Sequence, residues 1–179
     1  MLRVTQILRL AGLVDFSGID PAVLEAARRR GVAVHHWIDG TLRGLLDGES
    51  PESEIAPYIV AWEKASAELR LVVEAHEVNV EHAKYGYRGR LDLLTGVTGV
   101  PWLLDIKTSR EVHPSTALQT MAYSMALGDR RKRGALHLRR DGSWALVEFS
   151  TDREDEHAFL ACLHVARFKL QHGLASLDD

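Results

Sequence analysis

The hydrophobic pattern of this 179-residue chain changes period near Leu71, and no other feature narrows its fold as much. Before that point apolar residues recur at helical spacing; after it, short apolar runs alternate with glycine-containing turns. Val4 to Leu13 reads as a helix ending near Gly12. Asp20-Pro21 supplies a cap and a proline at the first helical position, opening a helix through Arg30. Gly31 interrupts it, and a helical pattern resumes through Asp47. Ser50-Pro51 opens another helix to about Arg70, with Ile55, Ile59, Trp62 and Leu69 as candidates for its buried side.

From Leu71 the reading is of strands at 71–80, 87–94 and 102–106, separated by turns at Thr95-Gly96 and Thr98-Gly99. Pro114-Ser115 starts a helix that Gly128 ends. Segments 133–138 and 144–149 form a hairpin around Asp141-Gly142. Thr151 and Glu154 make a capping box that launches a last helix, ending at Gly173. One α/β domain accounts for residues 1–179.

Composition bounds the class and leaves the chemistry open. The chain is 46% apolar and 26% charged, with a formal net charge of -3, so it carries no overall basic footprint for nucleic acid. The basic runs Arg28-Arg29-Arg30, Arg130-Arg131-Lys132-Arg133 and Arg139-Arg140 are of a kind more often solvated than binding. The single Cys162 excludes an intramolecular disulfide and any four-cysteine metal site, and reads as a buried structural residue. No apolar run reaches about 18 residues and the N-terminus lacks a leader pattern, so a soluble, cytoplasmic protein without a membrane partner is expected.

Chemistry concentrates around Asp92 and the segment Leu104-Asp105-Ile106-Lys107. If the strands carrying them pair as a hairpin, Asp92 approaches Asp105. The period of two puts Asp105 and Lys107 on one face, with Ile106 turned into the core. Two close carboxylates repel unless a cation lies between them, and oxygen donors suit Mg²⁺ or Mn²⁺. Phosphodiester hydrolysis fits such a site, with Lys107 orienting water or offsetting charge. On spacing alone, two unrelated acids and a lysine with its tip in solvent account for the same residues. A histidine pair precedes this region. At about 100° per residue, His35 falls within the apolar arc of Val34, Ile38, Leu42, Leu45 and Leu46, whereas His36 lies on the polar side near Asp39 and Arg43. A lone histidine on an apolar face is more often a core residue than a ligand.

Four segments in order carry a resemblance: Gly31 to His35, Gly89-Arg90-Leu91-Asp92, Asp105-Ile106-Lys107, and Gln119 followed by Tyr123. Together they resemble the PD-(D/E)XK nuclease superfamily, most closely its RecB-like and phage-exonuclease branch, over roughly residues 3–150. The resemblance implies a central mixed β-sheet flanked by helices, a restriction-endonuclease-like core with a helical N-terminal part. It implies a DNA nuclease, an exonuclease of recombination, repair or phage DNA processing, that uses Mg²⁺ or Mn²⁺. It makes Asp92, Asp105, Lys107, Gln119 and Tyr123 catalytic residues. His35, Asp92, Asp105 and the Ile106 carbonyl become metal ligands, and Glu77 a further candidate for which Glu74 and Glu81 compete. Gly86 and Gly89 would let the backbone turn or approach DNA closely, and Thr108 and Ser109 could donate to a phosphate. The partner implied is DNA, with a homo-oligomer or a separate recombination protein left open. Aspartate stands at residue 105 where many members have glutamate, and no cysteines are present for an iron-sulfur cluster. Two alternatives remain: an accessory DNA-binding module without catalysis, and a hydrolase of another phosphoester.

Overall fold

A computed structural model describes all residues except 47, 151, 152, 178 and 179. In chain order its elements are β1 (Leu2–Arg3), α1 (Val4–Ala11), α2 (Pro21–Leu42), α3 (Ala56–Glu68), β2 (Val72–His82), β3 (Tyr87–Val97), β4 (Val100–Lys107), α4 (Ser115–Leu127), β5 (Lys132–Leu138), β6 (Trp144–Phe149) and α5 (Arg153–Gln171). The strands form one mixed sheet. β2–β3, β3–β4 and β5–β6 pair antiparallel; β1–β3 and β4–β5 pair parallel.

Helices cover both faces of the sheet because the strands offer apolar side chains to both. On β4, Leu103 points to the face where α1, α4 and α5 bring Val4, Ile7, Leu118, Phe159 and Leu163. Leu104 and Ile106 point to the other face, where α2 and α3 bring Val34, Ile38, Ile59 and Trp62. Among the described residues no helix is long and apolar enough to cross a membrane.

The sheet forks at its centre. The β3–β4 ladder ends at the pair Leu93 and Leu104. Beyond it, β4 continues with β5 as far as Lys107 and His137, while β3 continues with β2 as far as Tyr87 and His82. β1 rejoins the free edge of β3 only at Tyr87 and Arg88. Among the described residues, 89–92 therefore have no strand partner on that edge.

Several expectations are corrected. Gly31 does not interrupt α2, which runs unbroken from Pro21 to Leu42. Glycine inside a helix costs about 1 kcal/mol, whereas burying Val34 and Ile38 gains about 1.5–3 kcal/mol each and requires the helix to continue. The helix stops at Leu42 rather than Asp47 (residue 47 lies outside the described set). Leu46 folds back so closely that a side chain at Gly40 would lie 2.8 Å from its Cδ1. Ser50-Pro51 opens no helix: Glu52 closes a separate turn by accepting from Ile55 and Ala56, and α3 starts at Ala56 with Pro57 in its first turn. Thr95-Gly96 stays in β3, paired with Trp102 and Pro101. Thr98 and Gly99, at φ 48° and 84°, make the turn, as a two-residue hairpin with consecutive left-handed residues requires. The expected Thr151 cap falls outside the described residues; α5 opens with Glu154, Asp155 and Glu156, acids that suit a helix N-terminus.

One buried cation ties the sheet to α4 and α5. Arg133 of β5, 2% exposed, donates to Ala117 O at 2.7 Å and Thr120 Oγ1 at 3.2 Å on α4, to Asp155 Oδ2 at 2.7 Å on α5, and to Ser150 O. Arg133→Met should cost about 3–5 kcal/mol, since removing one partner of a largely buried ion pair leaves the Asp155 carboxylate without its cation. Urea unfolding measures this; a loss under about 1 kcal/mol would show that these contacts matter little to α4 and α5.

Candidate active site

The fork exposes the edge of β4 at Ile106, and side chains complete it. The Ile106 N–H donates to Asp92 Oδ2 at 2.6 Å. Its carbonyl lies 3.2 Å from His35 Nε2. A carbonyl only accepts, so this bond assigns the proton to Nε2. The other ring nitrogen, Nδ1, faces two carboxylates, 3.5 Å from Glu77 Oε1 and 3.7 Å from Asp92 Oδ1. Donor atoms of His35, Glu77 and Asp92 all lie within 4.8 Å of one another. Imidazole and carboxylate donors at this spacing, with the second imidazole nitrogen fixed by a carbonyl, suit a divalent cation.

Asp105 lies beside this group and is held differently. Its carboxylate is 2% exposed. Oδ1 accepts from Gln119 Nε2 at 2.7 Å, and Oδ2 sits 2.7 Å from Lys107 Nζ. Oδ2 is buried, with the Lys107 ammonium as its partner. Lys107 Nζ also donates to Gln119 Oε1 at 3.4 Å, so the Gln119 amide contacts both members of the pair. Asp105, expected as a metal ligand, thus points to the lysine and the glutamine. The Ile106 carbonyl, expected in the same role, accepts from His35.

Gln119 Nε2 also donates to Tyr123 Oη at 3.1 Å. Tyr123 is buried to 3% exposure. Its ring lies over β3 at Gly89, where an added Cβ would collide with Tyr123 Cε1. Glycine at 89 is thus a matter of space, and it links two of the sequence motifs physically.

Of the three competing acids, Glu77 is the one that reaches His35. It also pairs with Arg90, whereas Glu74 binds Arg131 at the surface. Glu81 is exposed. The Ser109 hydroxyl donates to Glu111 O and is spent within its own loop. The basic run at 130–133 is largely neutralised, with Arg131 on Asp129 and Glu74, Lys132 on Glu148 and Arg133 on Asp155. Sequence reasoning missed Asp39, His76 and Arg90. Asp39 and Arg90 line the same cavity of about 330 Å³ as His35, Glu77 and Asp92. Asp39 stands one helical turn after His35, and that spacing was a usable signal.

The charges are strongly perturbed. Burial works against a charged His35, but Asp92, Glu77 and Asp105 outweigh it and raise its pKa from 6.5 to about 9. Burial, followed by the charge of Asp105, lifts Asp92 well above the usual carboxylate range against the pull of His35 and Lys107. Burial likewise opposes a charged Lys107, and Asp105 more than compensates. The raised His35 stabilises the fold fully below about pH 6.5 and loses that contribution as pH rises through about 9. Asp92 changes stability in the same direction, because ionising it costs more in the folded state. Metal-free protein should therefore lose thermal stability between pH 6.5 and 9.5, and Mn²⁺ should raise Tm more at the upper end, where fewer protons must be displaced. His35→Gln should flatten that trend; a Tm increment independent of pH would refute this electrostatic account. Separately, Gly89→Ala should destabilise the fold by about 1–3 kcal/mol by overpacking against Tyr123. Tyr123→Ala in the same chain should recover part of the loss, and additive losses in denaturant melts would count against the contact.

A search of curated protein sequences gives no match. Among solved structures the chain is similar to a phage-related exonuclease from Haemophilus somnus 129PT, at 13% identity over 97% of this chain and 96% of that one, with a TM-score of 0.48. It is similar to the alkaline exonuclease LHK-Exo from Laribacter hongkongensis, at 15% identity over 94% and 93%, with a TM-score of 0.43. Similarity to SSO0001 covers 62% of this chain and only 55% of that protein, at 16% identity and a TM-score of 0.42. The model of the PD-(D/E)XK nuclease superfamily matches residues 6–161, which takes in all six strands except β1 and every helix in whole or in part. With its mixed sheet, flanking helices and restriction-endonuclease-like core, the chain belongs to the PD-(D/E)XK nuclease superfamily.

Proposed function

We propose that this protein is a divalent-metal-dependent deoxyribonuclease, acting as an exonuclease in DNA recombination, repair or phage DNA processing. The observation that carries the reading is the convergence, in one fork of the sheet, of the His35, Glu77 and Asp92 donors with the Asp105–Lys107 pair. His35 Nδ1, Glu77 and Asp92 would hold Mg²⁺ or Mn²⁺, with Asp105 and the Ile106 carbonyl as adjoining donors. The bound ion would polarise a phosphoryl oxygen.

The remaining work falls to the chain itself. Lys107 keeps its ammonium charged through Asp105, so it can offset negative charge that grows on a phosphoryl group beside it. Gln119 holds both members of that pair, and Tyr123 holds Gln119. A second cavity, of about 530 Å³, shares Arg90 with the first and is lined by Arg3, Arg88, Gly89, Gln119 and Tyr123. Arg3 and Arg88 are register partners on adjacent strands, and among the described residues neither has an acidic partner. Adjacent like charges are unfavourable alone and suit a polyanion backbone.

End-labelled linear DNA should be degraded with Mg²⁺ or Mn²⁺ while closed circular DNA of the same sequence survives. Lys107→Ala and Asp105→Asn should each lower the rate at least about 100-fold, the scale of a lost transition-state contact. Cleavage of circles would remove the exonuclease assignment. Retention of DNA without cleavage under every metal would favour the accessory-module reading, and hydrolysis of small phosphate esters alone would favour a different substrate.

A further inference from the structure

A regular strand sends neighbouring side chains to opposite faces. β2 breaks that rule at Glu77. His76 and Glu77 are consecutive, yet both reach the same face of α2: His76 Nδ1 lies 2.8 Å from Asp39 Oδ1, and Glu77 Oε1 lies 3.5 Å from His35 Nδ1. Asp39 and His35 are four residues apart on α2 and so share that face. Glu77 makes this possible by adopting a left-handed backbone, φ 53°, between two residues that remain paired with β3, His76 with Leu93 and Val78 with Leu91. A non-glycine residue stays in this conformation only when its surroundings fix it.

We propose that Asp39 and His76 form a brace that fixes Glu77 in this conformation and thereby sets the spacing of the His35, Glu77 and Asp92 donors. The proposal rests on the metal-binding reading of those three residues. Asp39 lines the same cavity, but both its oxygens are engaged: Oδ1 with His76 Nδ1, and Oδ2 with Arg43 Nε at 2.9 Å. It acts as a positioning residue rather than as a ligand. His76 joins Asp39 on the helix to the residue next to Glu77 on the strand, so one contact links the two elements that supply His35 and Glu77. Arg90 holds the other oxygen of Glu77, but it stands on β3. The Asp39–His76 contact joins α2 to β2 beside the approach of His35 to Glu77, and of the two it is the one that uses no proposed ligand atom.

The test is calorimetric titration of metal-free protein with Mn²⁺. Asp39→Ala and His76→Ala should each weaken binding about 10-fold or more, as loss of an outer partner does at a metal site. The double variant should be no weaker than either single one, because both remove the same contact. His76→Asn, whose amide nitrogen takes the place of Nδ1, and Asp39→Asn, which keeps an acceptor, should stay within about threefold of the wild type on the same scale. That rescue separates a brace from a ligand, since a lost carboxylate ligand would not be replaced by an amide. If Asp39→Ala does not fold, His76→Ala breaks the same bond from the sheet side. Unaltered Mn²⁺ binding in the alanine variants, or additive losses in the double variant, would overturn the brace alone. Absence of Mn²⁺ binding in the wild type would overturn the metal reading together with it.

Discussion

The organisation of this protein hangs on the 2.6 Å hydrogen bond from the Ile106 N–H to the Asp92 carboxylate. An antiparallel ladder that stops in mid-sheet leaves backbone donors and acceptors without partners, and buried orphans of that kind cost about 1–3 kcal/mol each. Here the ladder stops after Leu93 and Leu104, and the two strands diverge to different neighbours. Asp92 takes the stranded N–H and His35 takes the stranded carbonyl. The sheet can open at its centre because these two side chains close the broken edge. The opening is what admits carboxylates, an imidazole and an ammonium to the interior of a small α/β protein.

Admitting them creates an electrostatic problem that the metal-free protein solves only in part. Asp105 is buried and Asp92 half-buried, and their mutual repulsion is what Lys107 and His35 offset. The two acids divide these cations between them. Asp105 takes Lys107, and the Gln119 amide holds both in place. Asp92 shares His35 with Glu77, and the proton that His35 gains marks how negative that side remains. A divalent ion would supply more positive charge than this proton, so under the proposed function binding one would displace the other. The Lys107 side of the fork keeps its own counter-charge and needs no such exchange. Charge compensation thus divides the site into a half where acids outnumber cations, at Asp92, Glu77 and His35, and a half where Asp105 and Lys107 balance.

What could be read from the sequence followed periodicity and capping. Pro21 and Asp20 announce α2, and the Asp20 carboxylate does accept from the Ala22 and Val23 N–H groups. Alternation along 104–107 placed Ile106 in the core and Asp105 with Lys107 on the opposite face, as found. The helical wheel separated His35 from His36, which is exposed. Long-range contacts were beyond such reasoning. β1 is two residues long and exists only because β3 has a free edge for it to join. Gly31 and Ser50-Pro51 carry local signals that tertiary burial overrides. The left-handed backbone at Glu77 has no local signature at all, so the arrival of His76 and Glu77 on one helix face was invisible, and with it the part of the site that Asp39 contributes.

The same facts explain why the motif residues are dispersed along the chain yet occur together. Each answers a need that the fork creates: Asp92 for the Ile106 N–H, His35 for the Ile106 carbonyl, Gln119 for the buried Asp105, and Gly89 for the ring of Tyr123. Chemistry and architecture are therefore not separable at these positions. Alanine at Asp92 would strip an acceptor from the backbone and, under the proposed function, a donor from the metal, and a lost activity would not say which mattered. Asparagine keeps an acceptor for the N–H and removes the charge, so it isolates the electrostatic part. Lys107 differs, since its ammonium binds only side chains and its removal leaves the backbone of the fork satisfied. Its loss reports on charge at the site more directly than the loss of any other member.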